Sequence, residues 1–493
     1  MRYLYLIAIL YILLLLPVNV FCQKIINDNN TTSYDIETFG SASSGKNTPF
    51  WTVSNRYGVV PLKSGNGYIR AVIDHSQMFN NGLQWNAGLD LVTASPRDRN
   101  VFVQQIYAEV SYKPFLFSIG SKEKYNSILD KNLSSGDMVL SPNARPIPEI
   151  NISVPEFTAI SSVKWLYIKG DFAVGKSFDE SYLKRNVEKG TNYVEDVLWH
   201  HKSFFAKIKT KNNPYSAIIG VEHWVQWGGE SPNSYIGKQP SSFKDFLRVV
   251  VGQEGGENAT VSDQINVLGN HYGSYYLALQ YDLPREMTLK AYHQRYFEDK
   301  SGMELYNGAD GIWGMQVESP NTIWLKNIVF EFITTKHQSG PMHFIEFDHD
   351  KYPGLGGGND DYYNNGEYTT GASYFNRAIG SPLILSPEYN EKGKIGFRNN
   401  RINSWHIGAE GEINPQISYR FLLTAMESWG RASMPFLKTK TAVASIGEIN
   451  YTNPRLEGWY FKGSVSFDNG NMLEKNLGFS FSVKKTGVLK LWK

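Results

Sequence analysis

Beyond residue 22 the chain has no cysteine, since its single Cys is Cys22. A mature protein without it has no disulfide framework, no cysteine-bound zinc and no thiol nucleophile. Nor does any apolar run after residue 22 approach the roughly 20 residues a spanning helix takes, so a helical membrane protein is excluded. Charge of one sign is also scarce. The 493 residues carry 49 Lys and Arg against 47 Asp and Glu, a net +2. Removing a leader whose only charge is Arg2 leaves +1. Such near-neutrality provides no overall drive toward nucleic acid.

What is present starts with Met1–Cys22, MRYLYLIAILYILLLLPVNVFC: a basic start, an apolar middle and a small-x-small ending at Val20-Phe21-Cys22. These are the parts of a cleaved secretory leader. Pro17 and Asn19 interrupt the run before it can span a membrane, and bulky Phe21 beside Cys22 argues against a lipoprotein. Aromatics are abundant, with 30 Tyr, 27 Phe and 12 Trp, and there are 44 Gly, yet mean hydropathy is −0.36. This combination fits a transmembrane β-barrel, where lipid-facing and lumen-facing residues alternate and average hydropathy stays low.

Period-two alternation dominates locally. In Gln84–Thr93, Trp85, Ala87, Leu89 and Leu91 share one face, and Asn86, Gly88 and Asp90 share the other. Met287–Phe297 sets Thr288, Lys290, Tyr292, Gln294 and Tyr296 against Met287, Leu289, Ala291, His293, Arg295 and Phe297. Ile417–Leu423 and Gly478–Val483 behave alike. This period means strands whose faces meet different media. Aromatics at strand ends, namely Trp165, Tyr276, Trp324, Trp405, Trp429, Trp459 and Tyr460, suit membrane interfaces. Roughly 16 to 18 such segments come after Asn66 at hairpin spacing.

Short turns such as Lys113-Pro114, Asp282–Arg285 and Asn414-Pro415 alternate with three longer insertions, about 122–160, 228–271 and 349–400. The insertions are expected to be extracellular loops. On pattern alone a soluble all-β sandwich pair or propeller stays open, although no repeat of about 40–50 residues supports a propeller. Residues 23–65 read as a separate N-terminal segment preceding a barrel over 66–493. Within it, Thr48–Gly58 has an N-cap residue, Pro49 in the first turn and Gly58 as a stop. A short helical element on the periplasmic side is expected there.

An ordered set of segments carries a family resemblance. They are Pro49–Gly58 (PFWTVSNRYG), Leu133–Pro148 (LSSGDMVLSPNARPIP), His200-His201-Lys202, Gly220–Gly229 (GVEHWVQWGG), Ser301–Gly314 (SGMELYNGADGIWG), Thr335–Pro341 (TKHQSGP) and Gly371–Leu383 (GASYFNRAIGSPL). Together they resemble the Wzi capsule-assembly family as it occurs in Bacteroidetes. The resemblance implies an all-β fold, a transmembrane antiparallel β-barrel of about 18 strands with a small periplasmic helical element. It implies an outer-membrane lectin that attaches or organises capsular polysaccharide at the cell surface, with no catalysis and no cofactor. The implied partners are capsular or other surface polysaccharide, outer-membrane lipid and the barrel-assembly machinery. A monomer is expected. The alternative is a porin or channel for glycans or small solutes, because a barrel of this size can hold a wet lumen. One departure is the C-terminus, where Lys493 follows Trp492 although barrels commonly end on an aromatic residue.

Other chemistry is weaker. Gly170–Ser177 (GDFAVGKS) matches a phosphate-cradling loop, but it continues an alternating run from Val163 with no helix after it. The bland reading is a barrel strand. His200 and His201 are adjacent and cannot share a strand face, and His337, His343 and His349 are too far apart to converge. Asn359-Asp360-Asp361 with Asn364-Asn365 offers oxygen ligands for calcium without any established loop spacing. No GxSxG motif frames a nucleophile, and Ser121-x-x-Lys124 and Ser161-x-x-Lys164 are patterns chance supplies.

Sugar binding asks for aromatic faces against pyranose C–H surfaces and polar groups for the hydroxyls. The candidates are Glu222, Trp224 and Trp227 at a strand end, Asp310 and Trp313, and Asp360, Tyr362 and Tyr363 in a Gly-rich loop. Arg145 and Arg377 are added as partners for acidic sugars, since a planar guanidinium pairs well with a carboxylate. The opposing reading for the tryptophans is interface girdle or internal packing.

Overall fold

The computed structural model describes residues 30–160, 163–232, 237–340 and 360–489. The expected leader, Ser161, His343, His349, Asn359, Trp492 and Lys493 lie outside them. Eighteen antiparallel strands form one sheet: β1 (Asn30–Ser43), β2 (Asn66–Met78), β3 (Leu83–Ser95), β4 (Val101–Tyr112), β5 (Phe115–Ser121), β6 (Glu149–Ile160), β7 (Val163–Lys176), β8 (Leu198–Lys209), β9 (Tyr215–Trp227), β10 (Asn270–Asp282), β11 (Thr288–Phe297), β12 (Gly311–Glu318), β13 (Asn327–Thr334), β14 (Arg401–Asn414), β15 (Ile417–Gly430), β16 (Pro435–Thr452), β17 (Trp459–Gly470) and β18 (Asn476–Leu489). β1 pairs with β18 from Thr32↔Leu489 to Ser43↔Gly478, so the sheet closes into a barrel. Closure removes the two terminal edges that an open sheet would leave unpaired.

The alternation sorts as expected. On β3, Gly88, Asp90 and Val92 face inward while Leu91 is exposed, and Asp90 accepts from Arg70 inside the barrel. On β18, Phe479 and Phe481 face outward and Ser482 inward. Ile73, Ile119, Ile152, Leu279 and Val465 continue the exposed apolar surface around the wall, which suits lipid. Among the described residues no helix is long and apolar enough to cross a membrane. Tyr276 departs from the expected interface aromatics: it is buried and faces the lumen.

The N-terminal boundary needs correcting. Residues 23–65 are not a segment apart, because Asn30–Ser43 is a full barrel strand between β18 and β2. Its outward face offers Tyr34 and Ile36 as large apolar residues, too weak an alternation to read. That extra strand carries the chain across the barrel once more before residue 44. Asn30, Leu489 and the short turns (79–82, 113–114, 210–214, 415–416) share one rim, and the connections 44–65, 122–148, 177–197, 228–269 and 335–400 share the other. Helix α1 (Phe50–Val53) therefore enters from the long-loop rim, opposite the rim carrying Asn30 and Leu489.

The insertions differ as well. β6 occupies 149–160, so the first insertion is 122–148. It and the described part of the third, 360–400, fold into the lumen rather than standing outside. The second crosses the rim and lies on the outer wall. There Phe246 and Val249 of its helix Phe243–Val251 cover the outward residues Val225 and Trp227, and Phe246 meets His200. His200 faces outward and His201 inward, where it pairs with Asp171 at 2.7 Å. Gly170–Lys176 lies in β7, so the phosphate-loop match is strand.

A closed barrel of this kind is expected to keep its fold in SDS at room temperature and to change mobility after boiling. Gel migration before and after heating checks this, and identical mobility would contradict closure.

Candidate functional site

The lumen is filled by three chain segments, each held by inward-facing polar residues of the wall. Glu331 on β13 accepts from Ser134 Oγ at 2.7 Å, Ser135 N at 2.8 Å, Ser135 Oγ at 2.5 Å and Tyr292 OH at 2.6 Å. His406 Nε2 lies 2.8 Å from Leu133 O. Gly408 permits this approach, since a Cβ there would stand 2.3 Å from Leu133 O. Around α1, Asp468 accepts from Phe50 N at 2.8 Å and Thr424 from Trp51 Nε1 at 3.1 Å. The third segment docks on the first: Tyr363 OH donates to Met138 O at 2.5 Å and accepts from Ser381 N at 2.8 Å. Ser141 N donates to Ile379 O at 2.9 Å.

Two cavities flank this plug. One of about 480 Å³ lies toward the short-turn rim, with Arg56, Arg420, Glu448 and Lys462 among its charged walls. The other, about 1000 Å³, lies at the long-loop rim. Its walls include Arg97, Arg145, Arg185 and Arg377 together with Phe102 and Phe375. The guanidiniums of Arg97 and Arg145 stand 4.5 and 4.4 Å from the Phe102 ring centre, and Arg145 is also 4.4 Å from Phe375. Arg145 donates to Val103 O at 2.7 Å. Arg377 pairs with Glu388 at 2.7 Å and donates to Val60 O at 2.6 Å. Burial and the like charges of Arg377 and Arg145 push Arg97 down to about 9.

A two-residue turn presents part of this wall. Ser373–Tyr374 pairs with Arg377–Ala378, and both turn residues are left-handed, Phe375 at φ +51° and Asn376 at φ +58°. Asn tolerates that region, whereas Phe does so at a cost. Asp179 holds the turn by accepting from Phe375 N at 3.1 Å. Burial raises Asp179 to about 6.

Of the ten predicted site residues, Arg145 and Arg377 line the large cavity at the long-loop rim, and Arg145 meets Trp224 at a small one of about 30 Å³. Glu222 is buried, accepting from Trp224 Nε1 at 3.1 Å, Asn126 at 3.0 Å and Tyr276 OH at 3.0 Å. Trp224 is 4% exposed and packs edge-on to His201. Trp227 lies under Phe246 on the outer wall. Asp310 is buried and accepts from the amides of His337 and Gln338 at 3.1 and 2.7 Å. Trp313 faces outward, 46% exposed and stacked 3.8 Å from His293. Asp360 is buried and accepts from Ser339 at 2.7 Å. Tyr362 is fully buried and accepts from Asn307 at 3.1 Å. Tyr363 is buried in the plug. The Asp360–Tyr363 loop is thus core rather than a sugar platform, because its aromatic rings fill the lumen. Asp361 is engaged by Arg431 at 2.9 Å, which takes an oxygen the calcium reading needed. Sequence reasoning missed Arg97 and Phe102. The basic turn 96–100 was the available signal, and only the fold shows what it faces.

These features define a class: a closed antiparallel barrel of 18 strands, plugged from its long-loop rim, with a basic and aromatic cavity at that rim. The sequence profile described as Capsule assembly protein Wzi matches residues 67–383, and the chain belongs to that family. No curated protein sequence matches. Among solved structures, Wzi of Escherichia coli, described as an outer membrane protein involved in Group 1 capsule assembly and a carbohydrate-binding β-barrel, aligns with TM-score 0.54 at 12% identity, over 91% of this chain and 83% of that one. OpdH and the outer membrane protein OprD of Pseudomonas aeruginosa align at 9% and 8% identity, with TM-scores 0.48 and 0.47. Each alignment covers 95% of this chain, with 100% and 97% of the respective partner. At such identities the likeness is one of fold.

The plug's hydrogen bonds and buried carboxyls can each be tested. Tyr363→Phe removes one hydroxyl that both donates and accepts, so the 360–383 segment should loosen by about 1–3 kcal/mol, read as faster amide exchange at Ser381. Burial also raises Asp360 to about 7, and Glu298, which accepts from Tyr363 N, well above its ordinary range. In the window between the ordinary carboxylate range and about 7, the folded state binds more protons than the unfolded one, so plug stability falls as pH rises. Amide protection over 360–372, corrected for intrinsic rate, should drop from pH 5 to pH 8, and Asp360→Asn should flatten that dependence.

Proposed function

We propose that this chain is a non-enzymatic outer-membrane barrel that attaches or organises capsular polysaccharide at the cell surface. The observation that carries the reading is the capsule-assembly family match across 67–383. The description of the Escherichia coli structure as carbohydrate binding supports the lectin character. The long-loop rim adds chemical support, because its cavity combines guanidiniums with aromatic faces. Guanidiniums suit uronate or other acidic sugars, and flat rings suit their C–H faces. Arg145 and Arg377 are therefore retained as candidate contacts. The packed plug disfavours the porin alternative. An exported, leader-cleaved monomer inserted by the barrel-assembly machinery completes the proposal.

Deletion of the gene should shift polysaccharide from cell-attached to shed fractions, and Arg145→Gln should do so partially at equal protein level. The purified barrel should be nearly silent in a planar bilayer. Unchanged attachment in the deletion strain would refute the function, and steady large conductance would favour a channel.

A further inference from the structure

Beside the long-loop cavity the barrel wall is incomplete. β4 pairs with β3 as far as Val101↔Thr93, but with β5 only from Ile106↔Ser121 to Tyr112↔Phe115. From Val101 to Gln105 its second edge has no neighbouring strand among the described residues. Val101, Val103 and Ile106 are exposed on the outward face of this edge, and exposed Phe178, just past the end of β7, lines the same space. That space is the cavity holding Arg97 and Arg145. One cavity thus has an apolar border on the lipid-facing surface and a cationic interior.

The interior is under-neutralised. Arg185 pairs with Asp98 at 2.6 Å and Arg377 with Glu388 at 2.7 Å. Among the described residues no carboxylate lies within ion-pair reach of Arg97 or Arg145. Arg145 Nε is buried without a hydrogen-bond partner. Both guanidiniums are half-buried, and among carboxylates only Glu388 and Asp179 act on them, at longer range than an ion pair; half-buried cations without a paired carboxylate favour an anion.

We infer that the acidic group taken by this cavity is a lipid-borne phosphate. The head group sits between Arg97 and Arg145, and the acyl chains leave through the wall gap across Val101, Val103 and Ile106. The inference rests on the proposed function in placing an acidic ligand here, and it narrows that ligand to an amphiphile. A guanidinium pair gives charge-assisted bonds to phosphate oxygens, and the gap gives the chains a path that never enters water.

The test uses the full barrel in detergent, with heat-modifiable mobility confirming its fold, and native mass spectrometry to count bound ligand. Phosphatidylglycerol should be retained about tenfold better than phosphatidylcholine. Millimolar inorganic phosphate or a soluble galacturonate oligomer should not displace it. R97Q/R145Q should abolish the preference, while K438Q, at an exposed site elsewhere, should leave it intact. Equal retention of the two lipids by the unaltered protein overturns the inference without recourse to any variant, as does a preference that survives R97Q/R145Q. Galacturonate binding without lipid preference overturns it and leaves the polysaccharide reading standing. Binding of neither lipid nor oligomer counts against both.

Discussion

The structure depends on one constraint: a closed wall of 18 strands encloses more space than its own inward side chains can fill. The chain fills the space with its own connections. Doing so brings irregular backbone into a dry interior, where each N–H and C=O needs a partner. The wall supplies those partners as inward carboxylates and hydroxyls. Glu331 takes two hydroxyls and an amide from Ser134 and Ser135, and Asp468 takes the first helical amide at Phe50. Polar residues on the lumen face are therefore plug anchors before they are anything else. Glu222 serves this way on the wall, whereas Asp310 and Asp360 tie connecting segments to one another.

This explains where the sequence was legible and where it was not. Alternation on β3, β11 and β18 identifies strands because lipid and lumen impose opposite demands on neighbouring residues. The same alternation fails on β1, whose outward face has few large apolar groups. Missing that one strand undercounts by one the crossings the chain makes before α1, since each strand carries the chain across the barrel. The Asn, Asp and Gly content of 359–365 correctly signals a loop. It does not say whether the loop meets water or the lumen, because a plug segment needs the same hydrogen-bonding residues that a solvated loop carries. The buried Tyr362 and Tyr363 are the consequence.

Individual guanidiniums were readable, but their convergence was not. Arg145 lies in the plug segment 122–148, Arg377 sits beside a strained turn at Phe375 and Asn376, and Arg97 occupies the short turn between β3 and β4. No local pattern links positions so far apart in sequence. They meet because the plug segments 122–148 and 360–400 pack on one another, as the bonds between Ser141 and Ile379 and between Asn143 and Ala378 show. A site of this kind is a product of tertiary packing.

Plug and wall gap share one cause. For residues 122–148 to turn inward, β5 must stop at Ser121 and β6 begin at Glu149, which leaves β4 unpaired above Ile106. An exposed strand edge bordering lipid cannot leave its carbonyls empty. Arg145, carried in on the same segment, donates to Val103 O and closes one of them. The residue that repairs the edge is thereby fixed with its charge inside the cavity, stacked between Phe102 and Phe375. Wall repair alone would be served by any neutral donor. A guanidinium held there with no ion-paired carboxylate, Asp179 acting only at longer range, suits an anion arriving from outside the chain.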